Sequence, residues 1–257
     1  MLDAIVTKVR ANIESRSRSD WENEIAARAA KSVARQARFG EMLSRPGGQL
    51  ILEIKRKSPS AGTLSANVDV ASIAQAYEQN GAAAISVLTE QEHFGGSLSD
   101  LQQVAGSVSI PILRKDFIVD PLQIHEAAAL GASAVLLIVA ILDHQELRQL
   151  LRLSEELQLD ALVEVHDEFE LSRALAANAR IIGVNNRNLK TMTIDLTTGE
   201  RILKRIPGEV IKVAESGIRT RADILRMQSA GAHACLIGTS LMTANDIEKK
   251  IKELRGQ

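Results

Sequence analysis

The sequence predicts a single (βα)8 TIM barrel, an α/β fold in which eight parallel strands alternate with helices. Its 257 residues contain eight short runs of apolar and β-branched side chains, and a segment of helical length follows each run. Runs that are apolar throughout are typical of strands buried on both faces of a parallel sheet, and eight such βα units close naturally into a barrel. The predicted strands cover residues 50–54, 84–88, 110–113, 134–139, 161–165, 181–184, 210–214 and 234–237.

A recurring glycine indicates one structural unit used several times. Gly81, Gly131 and Gly231 each precede an alanine between a predicted helix and the next strand. Glycine at such a position can take the left-handed conformation that ends a helix. The repetition by itself fits an open doubly wound sheet as well as a barrel.

Residues 1–48 precede the first predicted strand and differ in character from the rest of the chain. They are highly charged, have a helical composition, and end at the breaker cluster Pro46-Gly47-Gly48. We expect one or two helices here, as an N-terminal helical extension of a single domain that spans residues 1–257. Packing over one end of the barrel is the expected role, and a mobile flap is the alternative.

Composition and charge narrow the class of partner. The formal net charge is −1, so we predict no binding to nucleic acid or to a membrane surface. Aromatic residues make up 2% of the chain, so we predict no platform on which bases could stack. No apolar run approaches the roughly 18 residues that a membrane-spanning helix needs, and no signal-peptide core is present. Cys235 is the one cysteine, so the chain cannot form an internal disulfide. A free cysteine suits a reducing cytoplasm, and we expect Cys235 to lie in the core.

The sequence contains no motif for a metal or a nucleotide cofactor. Its five histidines are scattered without the spacing of zinc ligands, and the G-x-S-x-G, P-loop and G-x-G-x-x-G motifs are absent. His166 is expected to be a supporting or loop residue near the site. We therefore expect neither a metal nor an organic cofactor.

Charged and polar side chains gather where the predicted strands end. In a parallel barrel the loops that follow the strands line the active site. Isolated charges buried there would cost several kcal/mol each, so we expect them to be paired or held for a charged ligand. A salt-bridged layer that only caps the core is the alternative. The candidates at these strand ends are Glu53, Lys55, Lys115, Glu164, Asn185, Arg187 and Glu215.

Small residues follow the seventh and eighth predicted strands, in Ser216-Gly217 and Gly238-Thr239. Glycine lets backbone N–H groups approach an anion, and the helical turn that follows adds the positive end of its dipole. The loops after these two strands form the recurrent phosphate site of this fold. We predict a phosphate site here, with Ser58 from the Ser58-Pro59-Ser60 turn on the other side; plain tight turns are the alternative.

Five motifs, in this order along the chain, resemble the indole-3-glycerol phosphate synthase family. They are EIKRKSPS at 53–60, PILRKDFIVD at 111–120, GVNNRNL at 183–189, VAESGI at 213–218 and LIGTSLM at 236–242. The similarity spans the predicted barrel, and Thr239 stands where serine is common in the family. The resemblance implies a reaction on 1-(2-carboxyphenylamino)-1-deoxyribulose 5-phosphate: a pyrrole ring closes, carbon dioxide and then water are lost, and no metal or organic cofactor takes part.

The resemblance also implies roles for the candidate residues. Lys115 is expected to be the general acid that protonates the ribulose carbonyl during ring closure. Lys55 and Glu164 are expected to serve the later dehydration, in either order, while Glu53 and Glu164 stabilise the cationic intermediate. Asn185, Arg187 and Glu215 are expected to orient the substrate and the lysines. A slot for the anthranilate ring is expected from Phe94, Phe117, Leu136 and Leu189; for the two leucines, ordinary core packing is the alternative. The phosphate site is expected to consist of Ser58, Ser216, Gly217, Gly238 and Thr239.

Two other functions remain open. A phosphoribosylanthranilate isomerase would use a cysteine and an aspartate as its acid–base pair, whereas Glu53 and Lys55 occupy the first strand here. A catalytically silent barrel that binds a sugar phosphate would not need Lys115 and Glu164. We expect a small phosphorylated substrate as the partner, neither nucleic acid nor membrane, and a monomer or weak homodimer in the cytoplasm.

Overall fold

Eight parallel strands close into a barrel in the computed structural model, which describes residues 2–29, 38–58, 62–63, 69–189 and 191–257. The barrel strands are β1 (Gln49–Ile54), β4 (Ala84–Leu88), β5 (Ile112–Lys115), β6 (Ala134–Ile138), β7 (Asp160–Val165), β8 (Ile181–Asn185), β9 (Ile211–Glu215) and β10 (Ala234–Ile237). They pair in the order β1-β10-β9-β8-β7-β6-β5-β4. The predicted (βα)8 barrel is therefore confirmed. A short antiparallel pair, β2 (Lys57–Ser58) and β3 (Gly62–Thr63), follows β1.

Some strand boundaries differ from the prediction by one or two residues. The third barrel strand begins at Ile112 rather than at 110, because Pro111 has no N–H to donate to the ladder. Its carbonyl still accepts the N–H of Ile85 at 2.9 Å. The same strand continues to Lys115, which therefore ends it as predicted.

Helices return the chain to the start of each next strand. Many begin with a capping aspartate: Asp120 and Asp143 each accept a backbone N–H and complete a capping box. Gly81, Gly131 and Gly231 have positive φ angles of 82°, 84° and 101°, so the predicted left-handed helix ends are confirmed. The helices that follow the barrel strands are α4 (Val70–Gln79), α5 (Leu98–Ala105), α6 (Pro121–Ala129), α7 (His144–Glu156), α8 (Glu168–Ala176), α9 (Leu196–Leu203), α10 (Arg221–Ser229), α11 (Thr239–Met242) and α12 (Ile247–Arg255), the last two after the final strand.

The buried side chains form two apolar layers. Successive residues of a strand face opposite sides of the sheet, so Leu113 and Leu136 pack inside the barrel while Val135 and Leu137 pack against the helices. Both layers are apolar, which explains why the strands are apolar throughout in the sequence. Cys235 lies in the outer layer and is buried, as predicted.

The segment before the barrel contains three helices in its described parts, α1 (Leu2–Ser15), α2 (Arg18–Ala29) and α3 (Phe39–Leu43), so the expected one or two was too few. The third helix covers the amino-terminal end of the barrel. Phe39 and Leu43 are fully buried with the interior layer, and the Gly40 N–H donates to Oδ2 of Asp160 at 2.9 Å, where β7 begins.

The other two helices of this segment reach the side and the opposite end of the barrel. The indole N–H of Trp21 on α2 donates to Oε1 of Glu126 on α6 at 3.0 Å. On α1, Arg10 donates to the carbonyl of Ile141 at 3.2 Å and to Glu146 at 3.1 Å. The segment therefore contacts both barrel ends, which corrects the expectation of one. No helix of the described chain is long and apolar enough to cross a membrane.

Candidate active site

A cavity of about 390 Å³ opens at the carboxyl ends of the barrel strands. This volume falls within the range of small-molecule sites. The structure brings together the seven charged and polar candidates that the sequence placed at strand ends. They are Glu53, Lys55, Lys115, Glu164, Asn185, Arg187 and Glu215, contributed by five different strands and the segments that follow them.

Lys115 lies at the centre of the charged cluster. Its Nζ is 3.0 Å from Oε2 of Glu164 on β7 and 3.5 Å from Oε2 of Glu215 on β9. The lysine side chain is 15% exposed and each acid 2%. Burial alone would lower the pKa of Lys115, but the charges of Glu164, Glu215 and Glu53 outweigh it and raise that pKa above its ordinary value. The ammonium is therefore fully protonated at neutral pH.

The two acids next to Lys115 shift in opposite directions. Burial would raise the pKa of Glu164, but Lys115 and then His166 outweigh it and hold that pKa well below its ordinary range. For Glu215, burial prevails over the opposing charge of Lys115 and is reinforced by Glu164 and Glu53, so its pKa rises to about 8. Glu164 is thus a carboxylate at neutral pH, and Glu215 is a neutral acid.

A glycine in β8 provides the space that Glu215 occupies. A Cβ at Gly183 would overlap Oε1 of Glu215. That oxygen is buried and has no hydrogen-bond partner among the described residues. An unpaired buried oxygen is costly for a carboxylate and less so for a neutral acid, which agrees with the raised pKa of Glu215.

Glu53 and Lys55 form a second pair at the end of β1. Because they are two residues apart, both side chains lie on the same side of the chain, and Nζ of Lys55 is 2.7 Å from Oε1 of Glu53. Gly238, directly after β10, approaches this pair closely: a Cβ there would overlap Glu53 and lie 3.0 Å from Nζ of Lys55. A side chain at 238 would therefore displace the Glu53–Lys55 pair, and glycine lets the eighth loop approach the first strand.

Asn185 and Arg187 shape the loop after β8. Oδ1 of Asn185 accepts the backbone N–H of Arg187 at 3.0 Å, and the Arg187 guanidinium donates to the carbonyl of Met192 at 3.2 Å. Burial, with a smaller contribution from Arg219, lowers the pKa of Arg187. Two guanidinium groups close enough to interact unfavourably are suited to an anionic ligand.

The predicted phosphate loops line one side of the same cavity, through Ser216, Gly217, Gly238 and Thr239. Ser216 and Gly217 both have left-handed backbones, with φ of 64° and 83°. A Cβ at Gly217 would approach Ile194 to 2.5 Å, so the loop packs where only glycine fits. The Ser58 backbone is in β2, but its side chain, like Pro59 and Ser60, lies outside the described residues.

The predicted apolar slot also lines the cavity, through Phe94, Phe117, Leu136 and Leu189. The two phenylalanine rings are tilted by 43°, with centroids 6.2 Å apart. Leu136 is 1% exposed and belongs to the barrel interior as well, so it both packs the core and forms the floor of the cavity. Residue 189 is half-buried at the rim.

Sequence reasoning missed several residues near this cavity. Leu2 and Ile5 on α1 line it, and nothing in a charged helical segment shows which end of a barrel it will meet. Arg219, three residues after a predicted phosphate contact, lines it too. His166, expected only to be a supporting or loop residue, contacts Glu164 directly. Its position two residues after Glu164, hence on the same side of the strand, is the signal that could have placed it there.

Comparison with solved structures agrees with the fold. The chain is similar in fold to a mutant tryptophan synthase alpha-subunit from Pyrococcus furiosus, with a TM-score of 0.64 and 14% identity over 82% of this chain and 99% of that one. At that identity the likeness concerns the fold alone.

Relatives of higher identity identify the family. The family model for indole-3-glycerol phosphate synthase matches residues 2–254. The chain is 49% identical over 254 residues to the indole-3-glycerol phosphate synthase of Mycolicibacterium smegmatis, covering 99% of this chain and 93% of that protein. It is also 49% identical over 255 residues to that of Rhodococcus jostii, covering 99% and 94%. The chain therefore belongs to the indole-3-glycerol phosphate synthase family, whose members are carboxy-lyases of tryptophan biosynthesis.

Proposed function

We propose that this cavity closes the indole ring by general acid–base catalysis, with Lys115 as the acid of ring closure and the neighbouring carboxylates as groups that stabilise the cationic intermediate. The substrate is 1-(2-carboxyphenylamino)-1-deoxyribulose 5-phosphate and the product is indole-3-glycerol phosphate. The observation that carries the assignment is the buried Lys115 ammonium, 3.0 Å from Glu164 in the wall of the cavity.

In the first step, the aromatic carbon that bears the carboxylate attacks the ribulose carbonyl carbon. The carbonyl oxygen gains negative charge and takes a proton from Lys115. The raised pKa of this lysine keeps it protonated before the reaction, and a developing alkoxide is basic enough to accept its proton. The ring nitrogen becomes cationic, and the Glu164 carboxylate stabilises that charge. Loss of carbon dioxide then neutralises the cation.

The second step removes the new hydroxyl as water, and needs one acid and one base. Lys55 and Glu164 are the two groups proposed for it, with their order left open. Lys55, which lines the cavity, is held there by Glu53 at 2.7 Å. Asn185, which accepts the Arg187 N–H, and the neutral Glu215 are proposed to orient the ribulose hydroxyls together with Arg187.

The substrate is proposed to lie across the cavity between the phosphate loops and the apolar slot. Backbone N–H groups near Gly217 and Gly238 would hold the phosphate, with Ser216, Thr239 and Ser58. Phe94 and Phe117 would contact the anthranilate ring, with Leu136 and Leu189. We further propose a single domain that works in the cytoplasm as a monomer or weak homodimer, without a metal or an organic cofactor.

The direct test is to add the carboxyphenylamino-deoxyribulose phosphate to the purified protein and follow indole fluorescence. We expect the indole signal to rise in proportion to enzyme concentration. A silent sugar-phosphate barrel would bind the compound without producing the signal, and an isomerase of the phosphoribosylanthranilate type would leave it unchanged. Either result would overturn the proposed function.

A further inference from the structure

We propose that His166 is a positioning residue for this reaction, a fixed cation that holds the Glu164 carboxylate in the orientation that Lys115 needs. The proposal rests on the proposed catalytic role of Glu164 and goes beyond it by naming a group that does not touch the substrate site directly.

The two oxygens of Glu164 contact two different cationic groups. Oε2 is 3.0 Å from Nζ of Lys115, and Oε1 is 3.2 Å from Nε2 of His166. His166 directly follows β7 and is two residues from Glu164, so both side chains lie on the same side of the chain. The imidazole is 12% exposed. With a partner on each oxygen, the carboxylate is restrained against rotation about its last torsion.

The other nitrogen of the imidazole is anchored in α8. Nδ1 of His166 is 2.9 Å from Oε2 of Glu170, and the same oxygen accepts the His166 backbone N–H at 2.8 Å. Glu170 lies in the first turn of α8, where its own N–H donates to Asp167 at 2.8 Å. The ring is therefore held from an element that packs outside the barrel, and it transmits that fixed position to Glu164.

Nε2 makes no aligned hydrogen bond among the described residues, but it lies 3.2 Å from Oε1 of Glu164. With Glu170 at Nδ1, the imidazole is flanked by two carboxylates, and their negative charge favours its cationic form. Burial would lower the pKa of His166, but Glu164 from β7 and Glu170 from α8 outweigh it and raise that pKa to about 10. The Lys115 ammonium of β5 lies beyond Glu164. The charge on His166 therefore persists throughout the neutral range, and it contributes to the lowered pKa of Glu164.

The test compares His166→Ala and His166→Gln with wild type in the indole fluorescence assay. The alanine variant should lower kcat roughly 10- to 100-fold, the same size of effect as removing a partner that orients a metal-binding side chain in other enzymes, with KM nearly unchanged. The acid limb of its kcat–pH profile should move to higher pH, because Glu164 loses one of two cations. Glutamine retains an N–H donor without the charge, so it should recover part of kcat and leave the limb displaced.

Two controls separate positioning from general damage. His233→Gln replaces an imidazole at the amino-terminal end of the barrel, where Nδ1 accepts the Lys212 N–H at 3.0 Å, and should leave kcat and its pH profile unchanged. In a Glu164→Gln background, His166→Ala should cause little further loss, because its effect passes through Glu164. Glu170→Gln, which neutralises the anchor, should change kcat in the same direction as His166→Ala and provides the test if that variant does not fold.

The inference would be overturned if both His166→Ala and Glu170→Gln kept a wild-type kcat–pH profile. It would also be overturned if His166→Ala changed only KM, or if it lowered kcat in the Glu164→Gln background as much as it does in wild type. Such results would leave the proposed function intact. Failure of the proposed function appears instead as the absence of an indole signal with wild-type protein.

Discussion

Lys115→Ala removes the ammonium that donates to Glu164 and lies 3.5 Å from Glu215. The loss of a general acid costs roughly 10²–10⁴ in rate, which is about 2.7–5.5 kcal/mol of transition-state stabilisation at ~1.4 kcal/mol per factor of ten. We expect that loss in kcat. Substrate affinity should change less, because the phosphate loops and the apolar slot keep their structure.

The stability of the same variant has to be measured with its activity, because Lys115 is buried and paired. Removing one partner of a buried ion pair costs about 3–5 kcal/mol when the remaining charge is left alone. Here Glu164 keeps His166 at 3.2 Å, and Glu215, with a pKa of about 8, is neutral at pH 7. We therefore expect a destabilisation below that range and a folded variant.

The assay is kcat by indole fluorescence and the urea midpoint on one preparation of Lys115→Ala, with Lys115→Met to restore the lost side-chain volume. Lys250→Ala is the matched control, since Lys250 on α12 is 19% exposed and pairs with Glu253 at 2.8 Å. A Lys115 variant that is strongly destabilised yet retains more than about a tenth of wild-type kcat would fall short of the acid–base range. The catalytic role of Lys115 would then have to be abandoned.

Three further predictions concern the loops, the cofactors and Glu215. Gly238→Ala should lower kcat/KM by at least about tenfold, or ~1.4 kcal/mol, because the new Cβ would overlap Glu53. Gly208→Ala, which has open space around it, should match wild type. Equal kcat/KM values for the two variants would exclude the close approach of Gly238 to Glu53. Dialysis against a chelator should leave activity unchanged, and a loss reversed by zinc or magnesium would contradict the mechanism. In wild type, the unfolding free energy should fall as pH rises from the ordinary carboxyl pKa through about 8, and Glu215→Gln should remove that fall. If the urea midpoints of wild type and variant changed equally between pH 6 and pH 9, the protonated acid would be refuted.

The barrel could be predicted from the sequence because its signals are local. Strands buried on both faces are apolar throughout, and Gly81, Gly131 and Gly231 end helices in a conformation that other residues rarely adopt. The segment before residue 49 could not be predicted as well. Its three helices contact different parts of the barrel through single long-range contacts, such as Gly40 to Asp160 and Trp21 to Glu126, and no local pattern encodes those partners.

The position of the candidate residues could be predicted for a similar reason, because every polar residue late in a parallel strand lies at the same end of the barrel. The pairing of the charged side chains could not be predicted. The contact between Lys115 and Glu164 joins β5 to β7, and that between Gly238 and Glu53 joins the end of β10 to β1. Both depend on how the closed sheet is sheared, which becomes apparent only when the strands are in register.

The protonation states at the centre of the site are the clearest case of information held by the three-dimensional arrangement alone. Glu164 and Glu215 are both glutamates at strand ends, yet cations on both oxygens lower the pKa of the first while burial raises that of the second. Their effects on stability therefore have opposite signs. The contribution of Glu164 is present above the ordinary carboxyl pKa and is lost as pH falls below it. That of Glu215 is lost as pH rises from there through about 8. Because the proposed chemistry needs the first as a carboxylate and allows the second to remain a neutral acid, the neutral pH range satisfies both requirements at once.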